Sequence, residues 1–191
     1  MSPLYVHGGK RCLDITLGLL ALITLSPLLL LIAFLVRSED GGCVIFRQRR
    51  TGRDKRPFEL LKFRSMRENV GDRPSLYAST LPITRVGRVL RRTNLDELPQ
   101  LVNILRGDMS IVGPRPALPS QADLIALREA NGSFCVRPGL TGLAQVGAYD
   151  GMSTNEKAMM DADYARSVTL FRDLHIIWRT IGYLRRPPPV Y

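Results

Sequence analysis

The stretch from Leu13 to Val36 constrains this chain more than any other. It is apolar except for Asp14, Thr16, Thr24, Ser26, Pro27 and one glycine. As a helix it would be about 36 Å long at 1.5 Å per residue, enough for a bilayer core of roughly 30 Å. Ser26-Pro27 falls near the middle, where proline removes a helical hydrogen bond and clashes with the preceding turn, so a sharp bend is predicted. Lys10 and Arg11 precede the stretch, and Arg37, Arg47, Arg49, Arg50, Arg53, Lys55 and Arg56 follow it. If positive charge stays cytoplasmic, both ends lie on one side and the segment is a re-entrant helix-break-helix. A kinked single span with its short N-terminus outside moves only two basic residues across, so the residues alone leave both arrangements open. A cleaved signal peptide is disfavoured, because the stretch is long and no A-x-A-like site follows it.

A second stretch carries the chemistry. In Arg91-Arg92-Thr93-Asn94-Leu95-Asp96-Glu97-Leu98-Pro99-Gln100-Leu101 two adjacent carboxylates follow a pair of arginines. Asn94 or Thr93 can cap a helix whose apolar positions Leu98, Leu101, Val102, Ile104 and Leu105 run to Gly107. Asp96 and Glu97 then fall in its first turn, where free N–H groups and the helix dipole favour ionised carboxylates. An ionised Asp is a candidate nucleophile or metal ligand. Asn94-x-x-Glu97 also has the form of a capping box, which needs no chemistry.

Around these stretches the chain predicts a hairpin, Cys43 to Phe46 and Phe58 to Phe63, with a turn at Thr51-Gly52-Arg53-Asp54. Asn69 to Pro82 reads as a loop, and helical spacing resumes at Ile83, Val86, Val89 and Leu90. In Gly113-Pro114-Arg115-Pro116 two prolines hold Arg115 on a rigid turn suited to bidentate phosphate recognition. Helices are predicted over Ser120 to Ala130 and Met152 to Val168. Between them, Arg137 supplies a cation beside Gly139 and Gly142, which permit close backbone approach to a ligand. A final amphipathic helix has the stripe Leu170, Leu174, Ile177, Trp178, Ile181 and Leu184, which suits either the core or a membrane interface.

The excess of 27 Lys+Arg over 17 Asp+Glu predicts attraction to phosphates in lipids, nucleotides or nucleic acid. Nucleic acid is the weaker choice, since Arg47 to Arg67 lacks an aromatic stacking pattern and sits beside a membrane segment; lipid headgroups suit it better. Cys12, Cys43 and Cys135 form no C-x-x-C pair, which argues against a disulfide framework or zinc and for a reducing compartment. His7 and His175 are far apart in sequence, which disfavours a histidine-based metal site.

Five motifs in one order, beyond Ser26-Pro27, carry a family resemblance: Lys62-Phe63-Arg64-Ser65-Met66, Asp96-Glu97-Leu98-Pro99-Gln100-Leu101, Gly107-Asp108-Met109-Ser110, Gly113-Pro114-Arg115-Pro116 and Arg137-Pro138-Gly139-Leu140-Thr141-Gly142. Through them the chain resembles the monotopic phosphoglycosyl transferases, the small catalytic-domain-only branch of the bacterial sugar transferases. The resemblance implies a mainly helical α+β fold in one domain over residues 1–191. Residues 12–37 would form a re-entrant membrane helix, and residues 38–191 a globular part with a β-hairpin and interfacial amphipathic helices. It places the protein at the cytoplasmic face of a bacterial inner membrane. The implied activity moves a phosphosugar from a nucleotide diphosphate sugar, usually a UDP-sugar, to polyprenyl phosphate, releases UMP and initiates a surface glycan.

By the same resemblance Asp96 is the nucleophile, forming a phosphosugar-aspartyl intermediate, and Glu97 binds Mg²⁺. Lys62, Arg91, Arg115 and Arg137 surround the phosphates with Gly139, and Asp161 and Tyr164 form a further substrate-side pair. Membrane lipids and downstream glycosyltransferases are the implied partners, with no nucleic acid. Tyr149 departs from the arginine of an N-G-R-N pattern in many relatives, so donor preference does not transfer from them. Without a long N-terminal extension, no multi-span membrane domain or fused sugar-modifying domain is expected. The alternative is a non-catalytic membrane-surface adaptor in which Asp96 and Glu97 only cap a helix; Asp96→Asn would leave such a protein working, because Asn also caps well. A related transferase without the covalent step would release no nucleotide until acceptor is added.

Overall fold

The computed structural model describes residues 5–66, 83–147 and 152–184; the loop read over Asn69 to Pro82 and Tyr149 lie outside the described residues. The fold is mainly helical with two small sheets. The apolar stretch forms α1 (Lys10–Thr24) and α2 (Ser26–Asp40), bent by 62° across Leu25. Pro27 offers no N–H to the Ile23 carbonyl, and the Ser26 hydroxyl donates to that oxygen instead, at 2.8 Å. The bend therefore leaves no orphaned carbonyl at this position. Among the described residues no single helix is long and apolar enough to cross a membrane, while the bent pair meets that length and composition together.

One side of the pair is built into the protein. Ile32 and Val36 of α2 pack with Phe63 and Leu90. From α1, Asp14 is buried and accepts hydrogen bonds from Ser110 Oγ and Ile111 N, both at 2.9 Å. Leu20, Ile23, Leu30 and Phe34 remain exposed on the other side.

The hairpin is present, with a longer first strand than alternation suggested: β1 (Ile45–Thr51) runs antiparallel to β2 (Pro57–Phe63), Ile45 opposite Phe63 and Thr51 opposite Pro57. Arg47, Arg49, Arg53, Lys55 and Arg56 of the basic run are exposed, but Arg50 and Arg64 are buried. Arg64 pairs with Asp40 at the end of α2, fastening the hairpin to the bent helix pair.

Next come α3 (Arg85–Arg92), capped by Thr84 Oγ1 accepting from Gly87 N at 2.9 Å, and α4 (Gln100–Arg106). The last carbonyls of α4 accept from Arg11 of α1: Nη1 to Ile104 O at 2.6 Å and Nη2 to Leu105 O at 2.8 Å. A cation at a helix C-terminus is favourable, and here it ties α4 to α1. A second sheet pairs β3 (Ser110–Val112) in parallel with β4 (Gly139–Thr141). Three-residue strands carry too little pattern to be read from sequence. The remaining helices are α5 (Ala122–Ala130), α6 (Leu143–Gly147), α7 (Thr154–Arg166) and α8 (Leu170–Leu184).

The stripe on α8 faces outward: Trp178 is 70% exposed, and Leu170, Leu174, Ile181 and Leu184 are exposed with it. A different face, with Asp173 and Ile176, is buried. Ile176 joins Tyr5, Val112, Tyr164 and Val168 in one core cluster. Asp173 accepts from Tyr5 Oη at 2.6 Å, Lys10 Nζ at 2.6 Å and Tyr164 Oη at 2.6 Å, joining α8 to α7 and to the start of α1.

Candidate active site

The turn that bears the two carboxylates is not the first turn of a helix, as the spacing predicts. Asn94 takes a left-handed conformation, φ +56°, and its side chain caps nothing. Leu95–Glu97 then make a short 3-10 turn, and α4 begins only at Gln100. Leu95 and Leu98 pack against the cluster of Ile32, Val36, Phe63 and Leu90, so burial of these leucines on the bent helix pair sets the turn. Ionisation here is decided by side-chain charges more than by a helix dipole.

Glu97 is held by two cations from opposite sides. Lys62 Nζ, on β2, donates to Oε1 at 2.8 Å, and Arg115 Nη2 to the same oxygen at 2.6 Å. Burial alone would raise the Glu97 carboxyl; the charges and hydrogen bonds of Arg115 and Lys62 outweigh it and hold the group well below the usual carboxylate range. Asp96 differs. It is 9% exposed, and among the described residues nothing donates a hydrogen bond to its carboxylate. Burial pushes its carboxyl up, Glu97 adds to that, and Lys62, Arg115 and Arg91 oppose it. Two neighbouring carboxyls are thus driven apart: one firmly ionised and paired, the other less stabilised and unengaged. Arg91, at the end of α3, leaves Nη1 buried with no hydrogen-bond partner among the described residues, a donor suited to an incoming anion.

Arg115 projects from a turn whose three successive carbonyls are all pinned. Pro114 O accepts from Gly139 N at 2.9 Å, Arg115 O from Arg128 Nη1 at 2.9 Å and Pro116 O from Arg50 Nη1 at 3.0 Å. The two prolines signal the rigidity; the supporting arginines, 13 and 66 residues away in sequence, have no local signature.

Comparison with known proteins gives the family. A profile of the family described as bacterial sugar transferase matches residues 5–186. The chain belongs to the bacterial sugar transferases. It is 41% identical to the exopolysaccharide production protein ExoY of Sinorhizobium fredii, over 91% of this chain and 85% of that protein. It is 44% identical to the UDP-glucose:undecaprenyl-phosphate glucose-1-phosphate transferase of Caulobacter vibrioides, over 92% and 69%. It is 38% identical to a UDP-N-acetylgalactosamine-undecaprenyl-phosphate N-acetylgalactosaminephosphotransferase of Aeromonas hydrophila, over 94% of this chain and 44% of that protein.

Within this bacterial sugar transferase, the residues expected at the site divide. Asp96, Glu97, Lys62, Arg91 and Arg115 converge. Arg137 lies at the other end of α4, where Nε donates to Gly107 O at 2.9 Å, roughly 10 Å of helix from the carboxylate turn. Gly139 meets backbone where a ligand was expected: a Cβ there would fall 2.1 Å from Gly113 N, so its missing side chain lets β4 close on the turn after β3. Asp161 is enclosed by Arg128, which donates to Oδ2 from Nε at 2.9 Å and Nη2 at 2.6 Å. Tyr164 is buried, donating to Asp173 and to Val112 O at 3.1 Å. Each of these last three serves the scaffold in this structure. Motif matching assigns them to the site because it registers which residues recur, whereas contact with substrate and support of a contact leave the same mark in sequence.

Proposed function

We propose that this bacterial sugar transferase moves a sugar 1-phosphate from a UDP-sugar to undecaprenyl phosphate, releasing UMP and beginning the assembly of a polysaccharide. The observation that carries the reading is the unengaged Asp96 carboxylate beside a Glu97 clamped by Lys62 and Arg115, on a turn seated on the bent membrane pair. The names of the Caulobacter and Aeromonas relatives support the reaction class, and their different sugars leave the donor sugar to experiment. A lipid acceptor also gives the exposed apolar faces of α1, α2 and α8 a use. In this reading α1 and α2 enter and leave the cytoplasmic leaflet, and the globular part lies on that face.

Asp96 acts as nucleophile. Its carboxylate oxygen attacks the sugar-bearing phosphorus, a P–O bond to the UMP leaving group breaks, and a phosphosugar-aspartyl ester forms. A phosphate oxygen of undecaprenyl phosphate then attacks the same phosphorus. The aspartyl–phosphorus bond breaks, freeing the carboxylate and leaving the sugar on a lipid diphosphate. Two displacements let a soluble donor and a lipid acceptor use one site in turn. Burial keeps Asp96 poorly solvated and so more reactive once ionised, while Lys62, Arg91 and Arg115 offset the charge gathering at phosphorus.

The donor set fits Mg²⁺. Glu97 is an ionised hard-oxygen group whose Oε2, among the described residues, meets only Arg115 Nη1, at 3.5 Å. Among the described residues no cluster of three His, Cys, Asp or Glu exists, so a cation at Glu97 would have to take its other ligands from phosphates and water. When bound through Glu97, it would supply charge neutralisation on the diphosphate.

The test is UMP release from a panel of UDP-sugars by lipid- or detergent-solubilised protein with Mg²⁺ and no acceptor. Wild type should give a stoichiometric burst and a matching mass adduct, both absent in Asp96→Asn. Turnover that starts only on adding undecaprenyl phosphate, without a burst, would replace the covalent route by direct transfer. Silence across the panel under both conditions would reduce the carboxylates to a helix-capping, adaptor role.

A further inference from the structure

Lys62, one of the two cations on Glu97, stands on β2, and one buried side chain, Asn103 of α4, closes the free edge of that strand beside it. Across the hairpin Arg64 N bonds Val44 O at 2.9 Å. Alternation along an antiparallel strand then points the backbone groups of Glu59 and Leu61 away from β1. No strand covers that edge among the described residues. The Asn103 side chain does: Nδ2 donates to Glu59 O at 2.7 Å and Oδ1 accepts from Leu61 N at 3.0 Å. A carboxamide has the donor and acceptor of a peptide unit, so it closes the edge as one residue of a third strand would.

The same residue organises the turn that leads to β3. Nδ2 also donates to Asp108 Oδ2 at 3.2 Å. The Asn103 carbonyl accepts from Gly107 N at 3.1 Å, Asp108 N at 3.1 Å and Met109 N at 3.3 Å. Asn103 is fully buried.

We propose that Asn103 is a positioning residue for phosphosugar transfer, fixing β2 against α4 and the turn that follows it in the relation that brings Lys62 onto Glu97. The proposal rests on the transfer reaction argued above. Asn103 acts only through Lys62. Asn103→Asp keeps the shape and the acceptor for Leu61 N, and removes the donor to Glu59 O. A misplacement of about 1 Å at a reacting centre can cost roughly 100-fold in rate.

The experiment compares Asn103→Asp with Leu101→Ala, a loss of buried packing on the same helix, in full-length protein at temperatures well below unfolding. Asn103→Asp should lower kcat at least about tenfold while donor KM changes less than about threefold, and Leu101→Ala should leave kcat per folded molecule within about twofold. In a Lys62→Met background, Asn103→Asp should cost less than about threefold further, because the two act through one contact. Independent, multiplicative losses would overturn the proposal. A readout without catalysis is acylation of the Lys62 amine, followed by peptide mass spectrometry with Lys55 as reference. It should rise several-fold in Asn103→Asp, and an unchanged value would also overturn the proposal. If the wild type transfers no phosphosugar but Lys62 labelling rises as expected, the reaction assignment fails and the positioning role stands.

Discussion

Replacing Asp161 by Asn separates a scaffold role from a substrate role. The Arg128 and Asp161 side chains are 6% and 2% exposed, and two hydrogen bonds join them. Burial pushes the Asp161 carboxyl up, with Arg128 opposing it, so desolvation offsets much of what the intact pair contributes. The cost of the variant comes from what remains: a buried guanidinium without its counter-charge, about 3–5 kcal/mol. For a chain of this length a loss of 1 kcal/mol lowers Tm by roughly 2–4 °C, so the expected fall is roughly 6–20 °C. The assay is thermal unfolding in a fixed detergent or nanodisc, with donor KM measured well below Tm. Expected is a large fall in Tm with KM nearly unchanged, and recovery of part of the loss in Arg128→Met/Asp161→Leu, where an apolar pair fills the space but Arg115 O loses its donor. An unmoved transition with donor KM raised tenfold or more would refute the reasoning and return Asp161 to the substrate.

Three further outcomes are expected. Pro27→Ala restores a helical N–H and relieves a cost of about 3 kcal/mol against a continuous helix, but Lys10, Arg11 and the buried Asp14 bind the start of α1 to α8, α4 and β3; a membrane-impermeant thiol reagent applied outside intact cells should therefore reach Cys12 in neither the variant nor the wild type, and labelling in the variant would contradict these anchors. Gly139→Ala places a Cβ 2.1 Å from Gly113 N and 2.3 Å from Thr141 O, so it should destabilise by about 3 kcal/mol; an unchanged denaturant midpoint with a raised donor KM would point instead to a ligand at this glycine. Burial raises the Asp96 carboxyl, so the proposed nucleophile would be protonated as pH falls through that raised value; kcat/KM should have an acid limb above the ordinary aspartate range, and a limb at or below it would contradict the burial argument.

Much of this architecture is legible in local pattern. The bend at Ser26-Pro27, the hairpin, the long helices α7 and α8 and the rigidity of the turn at Arg115 follow from proline chemistry and periodicity, which act over a few residues. The carboxylate pair is legible as a candidate site, yet its placement is not. The pattern predicts a capped helix start, whereas Asn94 turns left-handed because packing of Leu95 and Leu98 on α2 governs the turn. The outward face of α8 is likewise invisible locally, since its stripe would serve a core equally well; the buried Asp173, held by Tyr5, Lys10 and Tyr164, determines which face turns in.

By itself the sequence determined the bent apolar segment, the order of the elements, the family and the residue types proposed for phosphoryl transfer, because each is written in neighbouring residues or in the order of motifs. Only the tertiary structure decided which residues meet. Lys62 and Arg115 share Glu97 while Arg137 lies at the other end of α4; Asp161 and Tyr164 hold the scaffold, and Asn103 closes a strand edge 42 residues away. The physical reason is that a hydrogen bond or ion pair depends on distance in space, and the pairing of Glu97 with Lys62 and Arg115, which moves it apart in acidity from the buried Asp96, arises only after remote segments pack.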